Sequence, residues 1–441
     1  MKDSPSAADG RAGPAGRNIL RSIGPALIVA CVVVGPGSIL TSSKVGCQFG
    51  YQMIWLLLAA ALLMVGAMAA AARVGVAFDD SPCTELARRL GRPVAAAAGL
   101  SVFCITACFQ FSNNLGVLAA IEPLAGDSTD RNTWTLVLLN AVLIGCLFGF
   151  KKLYRPLEKL MMLMVAVMLG GFAANLLLAR PSLAGVLEGL VPNLPDELSG
   201  AFFPRLVTDA AGTAQLVDPW IVVQGLTVTT FSIAGAFYQA YLVKEKGWTP
   251  GDLKQRTVDV LVGAGVLALI SVMIMTTSAA VLHGTVPPDE LNTAADVARQ
   301  LEPLFGAAAK WLFCMGVFAA ALSSFLVNSM IGGSMLADGL GLPSRIDSLW
   351  TRLFTTLVLL VGMGVALGTD SASRVPLIIF AQAMTVLGGP ILVLSLAYLL
   401  GRCRVEKGLA PSHWITALML ASTLVIFALA ARTAWRIYLT A

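Results

Sequence analysis

The chain has 441 residues, of which 57% are hydrophobic and only 12% charged, with a formal net charge of +5. An ordinary soluble domain carries about 25% charged residues, so a water-soluble core is a poor account of this composition. Apolar stretches of about 20 residues, each able to cross the hydrocarbon of a bilayer, recur instead along the whole chain.

Residues 1–21 hold Lys2, Arg11, Arg17 and Arg21 among Ser, Ala, Gly and Pro, which predicts a disordered cytoplasmic tail. Residues 22–441 then form a single transmembrane domain of eleven predicted spans: 22–45, 51–73, 94–120, 133–150, 157–179, 219–243, 257–282, 306–331, 350–368, 375–400 and 412–432. The run beginning at Ile23 is too long for a signal peptide and opens a bundle. With the N-terminus inside, 21 of the 30 basic residues fall on inside segments, so the positive-inside rule favours a cytoplasmic N-terminus and an outside C-terminus. The net charge follows from that topology and gives no reason to expect a nucleic-acid partner. Short loops suit a multi-pass protein of a bacterial inner membrane.

The eight cysteines fall mostly within spans and show no paired spacing in an outside loop. Cys104 and Cys108 share a helix face, yet two thiols without a nearby histidine read more readily as packing than as a soft-metal site. His283 and His413 both lie near membrane edges, which argues against a histidine-based metal or proton site deep in the bundle. A Walker loop, an HExxH motif and a clustered nucleophile with its base are all missing, so the chain does not read as an enzyme, and no cofactor is expected.

Two spans are predicted to break. Gly35-Pro36-Gly37 interrupts the first: proline lacks an N–H and clashes with the preceding turn, and the glycines permit unwound backbone. A kink that serves only packing would use the same residues. The sixth span mixes β-branched, small and polar residues from Thr227 to Tyr241, and a break is expected around Ile233, Ala234 and Gly235. Spans one and six head two five-helix halves, 1–5 and 6–10, of opposite orientation, the inverted repeat of LeuT-type transporters, whose substrate lies between the broken helices. Interrupted backbone at bilayer depth is tolerated only where it is buried or lines a cavity, so these breaks point to a site.

From Gly35 to Tyr51 the sequence GPGSILTSSKVGCQFGY resembles the first-helix signature of the Nramp family of divalent-metal transporters, approximately DPGNWATDLQAGSQFGY. Pro36, Gly37, Thr41, Gly46 and Gln48-Phe49-Gly50-Tyr51 carry the match, and Val186–Pro195, Ala321–Ser324 and Gln382 with Pro390 continue it in order. The resemblance implies an all-α LeuT-type fold of 11 transmembrane helices. It also implies a metal site, from which this chain departs. Gly35 and Ser38 stand at the family's Asp and Asn positions, and Ala236 and Tyr238 at its helix-six Met and His. Gln382 alone of the family's side-chain ligands remains. Gln110 and Asn113 stand where the family places a proton-carrying Asp and Glu, and neither amide titrates near neutrality. Those amides serve equally well as interhelical glue.

These departures predict a neutral, enlarged site walled by Gly35, Ser38, Ile233, Ala236, Tyr238, Gln239 and Gln382, with no certain metal ligand. The expected function is secondary transport of a divalent cation, Mg²⁺ or Mn²⁺, without proton coupling. A transporter of a neutral or anionic organic solute and a non-transporting sensor or assembly protein are the alternatives. The expected partners are the transported species and the lipid bilayer; oligomeric state is left open.

Overall fold

The computed structural model describes residues 25–125, 129–149, 154–200, 202–208, 214–291, 294–369 and 374–440. The expected N-terminal tail lies outside the described residues. The first span is two half-helices, α1 (Pro25–Val33) and α2 (Pro36–Phe49), followed by α3 (Ile54–Ala77), the short α4 (Pro82–Leu90), α5 (Arg92–Ala125), α6 (Thr129–Gly149), α7 (Tyr154–Ala179) and α8 (Leu183–Glu188). After a hairpin of β1 (Arg205–Thr208) and β2 (Ala214–Val217), the sixth span is again two half-helices, α9 (Ile221–Thr230) and α10 (Ile233–Glu245). Then come α11 (Leu253–Val281), α12 (Ala294–Gly339), α13 (Leu349–Leu367), α14 (Arg374–Lys407) and α15 (His413–Thr440).

Among the described residues nine helical segments are long and apolar enough to cross a membrane, counting Ile221–Glu245 as one. The shorter apolar segment Thr133–Gly149 and the divided first span bring the total to the expected eleven. Both boundaries of the eighth span, expected over 306–331, move. The eighth span was expected to begin at 306, but Gly306 adopts φ 77° inside α12, and the apolar crossing segment runs from Lys310 to Gly339. The antiparallel hairpin, with Arg205 opposite Val217, was not foreseen, because its short strands lack a two-residue turn motif and read as loop.

The broken helices lie side by side. α2 packs on α9 and α1 on α10, so the second half of one interrupted helix meets the first half of the other and the two run antiparallel. α5 and α12 pack extensively on each other and both touch α2, supplying the opposite wall. Small residues permit these approaches, as they do between membrane helices generally. A Cβ on Gly116 of α5 would stand 2.0 Å from the ring of Pro36, so only glycine lets α5 lie against the first break.

Candidate functional site

At the first break Gly35 is extended (φ −109°, ψ −178°) and Pro36 starts α2, where its missing N–H costs no intrahelical bond. The second break falls at Phe231 and Ser232, both non-helical, and Ser232 Oγ accepts from Gly235 N at 3.2 Å to cap α10. Ala234 and Gly235, expected at the break, lie instead in the first turn of α10, because the serine cap starts the helix at Ile233, three residues earlier. Ile233 opens that helix.

The C-terminal ends of α1 and α9 and the N-terminal ends of α2 and α10 converge on one cavity of about 40 Å³, room for a small ion with one or two waters. Gly35, Gly37 and Ser38 contribute from the first break, and Thr229 and Ser232 from the second. Ser112 and Asn113 of α5 and Ser324 and Asn328 of α12 close the far wall, with Val33, Phe109 and Val228 as the apolar part. The lining is therefore hydroxyl, amide and backbone. Among the described residues it contains no carboxylate, thioether or imidazole.

Ser38 Oγ donates to Thr229 O at 3.3 Å, and Thr41 Oγ1 lies 3.2 Å from Thr229 Oγ1, so the two interrupted helices are joined across the cavity edge. A Cβ on Gly35 would stand 2.9 Å from Ser324 Oγ and 3.5 Å from Asn113 Oδ1. Those side chains occupy much of the space that a larger residue at 35 would take, which is why the cavity is small where an enlarged one was expected.

Of the sequence-predicted site residues, the structure brings Gly35, Gly37 and Ser38 to the cavity, and Pro36 starts α2 without lining it. Ile233, Ala236, Tyr238 and Gln239 are buried in α10 but do not line it. Tyr238 lines a separate vestibule of about 450 Å³ with Tyr241, Lys244 and Arg345, and stacks on Tyr241 at 5.8 Å between centroids. Gln239 is wholly buried, and neither its Oε1 nor its Nε2 finds a partner among the described residues. Gln382 belongs to α14, and its side chain lies outside the described residues.

Sequence reasoning did not assign Ser112, Thr229, Ser232, Ser324 or Asn328 to the site. Polar residues at Ser324 and Asn328, one turn apart in an apolar helix, were the available signal for the α12 wall.

The helix-three amides form a chain of hydrogen bonds. Gln110 Nε2 donates to Phe325 O at 3.1 Å and Asn113 Nδ2 to Gln110 Oε1 at 3.1 Å, while Asn140 Nδ2 donates to Asn114 Oδ1 at 2.9 Å. They tie α5 to α12 and α6, and Asn113 also faces the cavity.

At the vestibule the buried Asp338 carboxylate, at the end of α12, accepts from four donors. These are Ser81 Oγ (2.5 Å), Thr84 Oγ1 (2.6 Å), Cys83 N (3.0 Å) and Tyr241 Oη (2.6 Å). One side chain thus joins α12, α4 and α10. Among the described residues no group of three His, Cys, Asp or Glu could hold a metal, Cys104 and Cys108 included.

The family model described as natural resistance-associated macrophage protein-like (Nramp) matches residues 26–436. The chain belongs to the Nramp family. A relative from Deinococcus radiodurans, named divalent metal cation transporter MntH, is 27% identical over 434 residues, covering 97% of this chain and 93% of its own. Its namesake from Aeromonas hydrophila is 24% identical, with 91% and 92% covered. Among solved structures, the Eremococcus coleocola manganese transporter superposes with a TM-score of 0.73 at 15% identity, covering 95% of this chain and 87% of that one. Mhp1, a nucleobase-cation-symport-1 family transporter, superposes with a TM-score of 0.57 at 14% identity, covering 93% of each chain. These similarities establish the LeuT-type fold of this Nramp-family chain.

Proposed function

We propose that this Nramp-family chain is a secondary transporter of a divalent cation, Mg²⁺ or Mn²⁺, and that it moves the ion without a coupled proton. The observation that carries this reading is the convergence of four half-helix ends on a small cavity that no titratable side chain lines among the described residues. The names of the bacterial relatives, divalent metal cation transporters, support the substrate class. The end of a half-helix exposes carbonyl oxygens that can coordinate a cation, and α1 and α9 both end here. With no carboxylate to offset the loss of hydration, the ion keeps part of its water, and Ser38, Ser112, Ser232, Ser324, Asn113 and Asn328 hold that water or the ion itself. Without a thioether the site lacks the soft ligand that would favour Mn²⁺ over Mg²⁺.

A cavity of about 40 Å³ is too small for most organic solutes, which favours the ion. By the positive-inside rule the vestibule flanked by Lys244 and Arg345 opens to the cytoplasm of a bacterial inner membrane, with the N-terminus on the same side. Tyr238, about 9 Å along α10 from Ser232, then stands on the path from cavity to cytoplasm. Gln239 and Gln382 are kept as ligands for another stage of the cycle, the unpartnered amide of Gln239 being the support for its inclusion.

The deciding experiment is uptake of Mg²⁺ and Mn²⁺ by proteoliposomes under an imposed voltage and, separately, an imposed pH gradient. Flux that follows voltage and ignores the pH gradient is expected. No flux of either ion would remove the cation reading and return the organic-solute alternative.

A further inference from the structure

Away from the substrate cavity, three of the buried oxygen atoms that find no hydrogen-bond partner among the described residues lie around one space: Ser43 Oγ of α2, Asn175 Oδ1 of α7 and Thr277 Oγ1 of α11. The residues are 0%, 2% and 6% exposed. All three line one small space of about 10 Å³, which Ser278 and Phe313 help to close. Leaving one polar atom unpaired in a membrane protein is costly, and three around a common void point to an occupant.

The wall is rich in oxygen acceptors. Asn175 commits its Nδ2 to Gly171 O at 3.0 Å, which leaves Oδ1 as its free group. Ser278 gives its proton to Ser43 O at 2.6 Å, so its oxygen has only lone pairs to offer. The hydroxyls of Ser43 and Thr277 have no partner among the described residues, so their oxygens keep lone pairs for an occupant. Four oxygens can thus present lone pairs inward. Thr277 and Ser278 also belong to the last turn and a half of α11, and Asn175 to the last two turns of α7, where the end of the helix dipole is negative. Among the described residues no basic side chain lines the space. Lys44, next to Ser43, has Asp289 and Asp296 as opposing charges.

We propose that this space binds one small monovalent cation, of sodium size, through the oxygens of Ser43, Asn175, Thr277 and Ser278. A space of about 10 Å³ admits one water-sized particle and therefore a dehydrated ion, not a hydrated one. Ser43 is five residues beyond Ser38, about 140° around the helix, so the ion sits on the opposite face of α2 from the substrate cavity. Its occupancy fastens α2 to α7 and α11. The site is independent of which substrate the central cavity carries.

The test is thermal unfolding of the purified full chain in detergent, followed by tryptophan fluorescence, with NaCl replaced stepwise by choline chloride at constant ionic strength. The midpoint rises with Na⁺ and saturates, rises less with K⁺, and loses its Na⁺ dependence in Thr277→Val, which keeps the shape and removes the oxygen. Asn175→Asp adds a carboxylate and lowers the half-saturating Na⁺ concentration about tenfold. A wild-type midpoint equal in Na⁺ and choline would mean that a water fills the space and would overturn the proposal. So would a Na⁺ response that survives in Thr277→Val and Asn175→Leu. Should the variants fail to fold, binding of radioactive Na⁺ to the wild type, competed by Li⁺ more than by K⁺, supports the site, and no saturable binding refutes it.

Discussion

Ser38 and Thr229 join the two interrupted helices directly: the Ser38 hydroxyl donates to the Thr229 carbonyl at 3.3 Å, at the rim of the cavity both residues line. This is one net hydrogen bond, worth about 0.5–1.5 kcal/mol. In Ser38→Ala we expect the chain to fold normally and the half-saturating concentration for cation uptake to rise about two- to tenfold, measured as initial rates in proteoliposomes. An unchanged value would remove Ser38 from the site.

Restoring a carboxylate at position 35 is expected to need a second change. A Cβ there meets Ser324 Oγ at 2.9 Å, so Gly35→Asp alone forces Ser324 to move. Gly35→Asp with Ser324→Ala should bind Mn²⁺ at least about tenfold more tightly than the wild type, a gain of about 1.4 kcal/mol readable by calorimetry. Ala236→Met, suggested by the family pattern, adds no ligand because Ala236 is fully buried outside the cavity lining; overpacking there should cost about 1–3 kcal/mol of stability.

The first break was legible because Gly35-Pro36-Gly37 leaves the backbone little choice. The second was placed three residues late, since no proline marks it and the capping role of Ser232 is visible only with the Gly235 amide in place. Ser324 and Asn328 were harder still. Within α12 their one-turn spacing hints at a polar face, but it is the packing of α12 on α5 beside the breaks that brings them to the cavity. The family pattern pointed to Ala236 and Tyr238, but those positions match the family in sequence without lining the cavity seen here.

Transport should be insensitive to pH between about 6 and 8, the range in which histidine and strongly shifted carboxylates titrate. Among the described residues no titratable side chain lines the cavity, and Gln110 and Asn113 are amides engaged in hydrogen bonds with their neighbours. Uptake at fixed voltage, measured while both faces are buffered together across that range, checks this. A steep dependence would require a proton carrier elsewhere in the chain.

Asp338 holds α4, α10 and α12 together with one carboxylate accepting from Ser81, Thr84, Cys83 N and Tyr241. An Asn side chain has one acceptor oxygen and brings its own N–H donors, so Asp338→Asn leaves buried donors unpaired. The expected loss is about 1–3 kcal/mol for each such donor, seen as a lower unfolding midpoint. Tyr241→Phe removes one donor and leaves the other three paired, and should cost less. Equal losses in the two variants would count against the carboxylate as the common anchor.

Arg432 of α15 is fully buried and pairs with Asp218, just ahead of α9, while also donating to Gln224 Oε1 and, at 2.8 Å, to Phe202 O. Asp218 has a second cation 3.2 Å away in Arg436. Removing the arginine alone strands a buried carboxylate with one partner, and breaking buried pairs in this way typically costs about 3–5 kcal/mol. Replacing both members removes the stranded charge as well. Arg432→Met should therefore destabilise the protein more than Arg432→Met combined with Asp218→Asn, measured by thermal unfolding of both variants in the same detergent. Because α9 supplies Thr229 to the cavity, the single variant should also lower the maximal rate of cation uptake, and the double variant should recover part of it. A double variant no more stable than the single one would show that Arg432 acts through Gln224 and the Phe202 carbonyl and that its charge matters little.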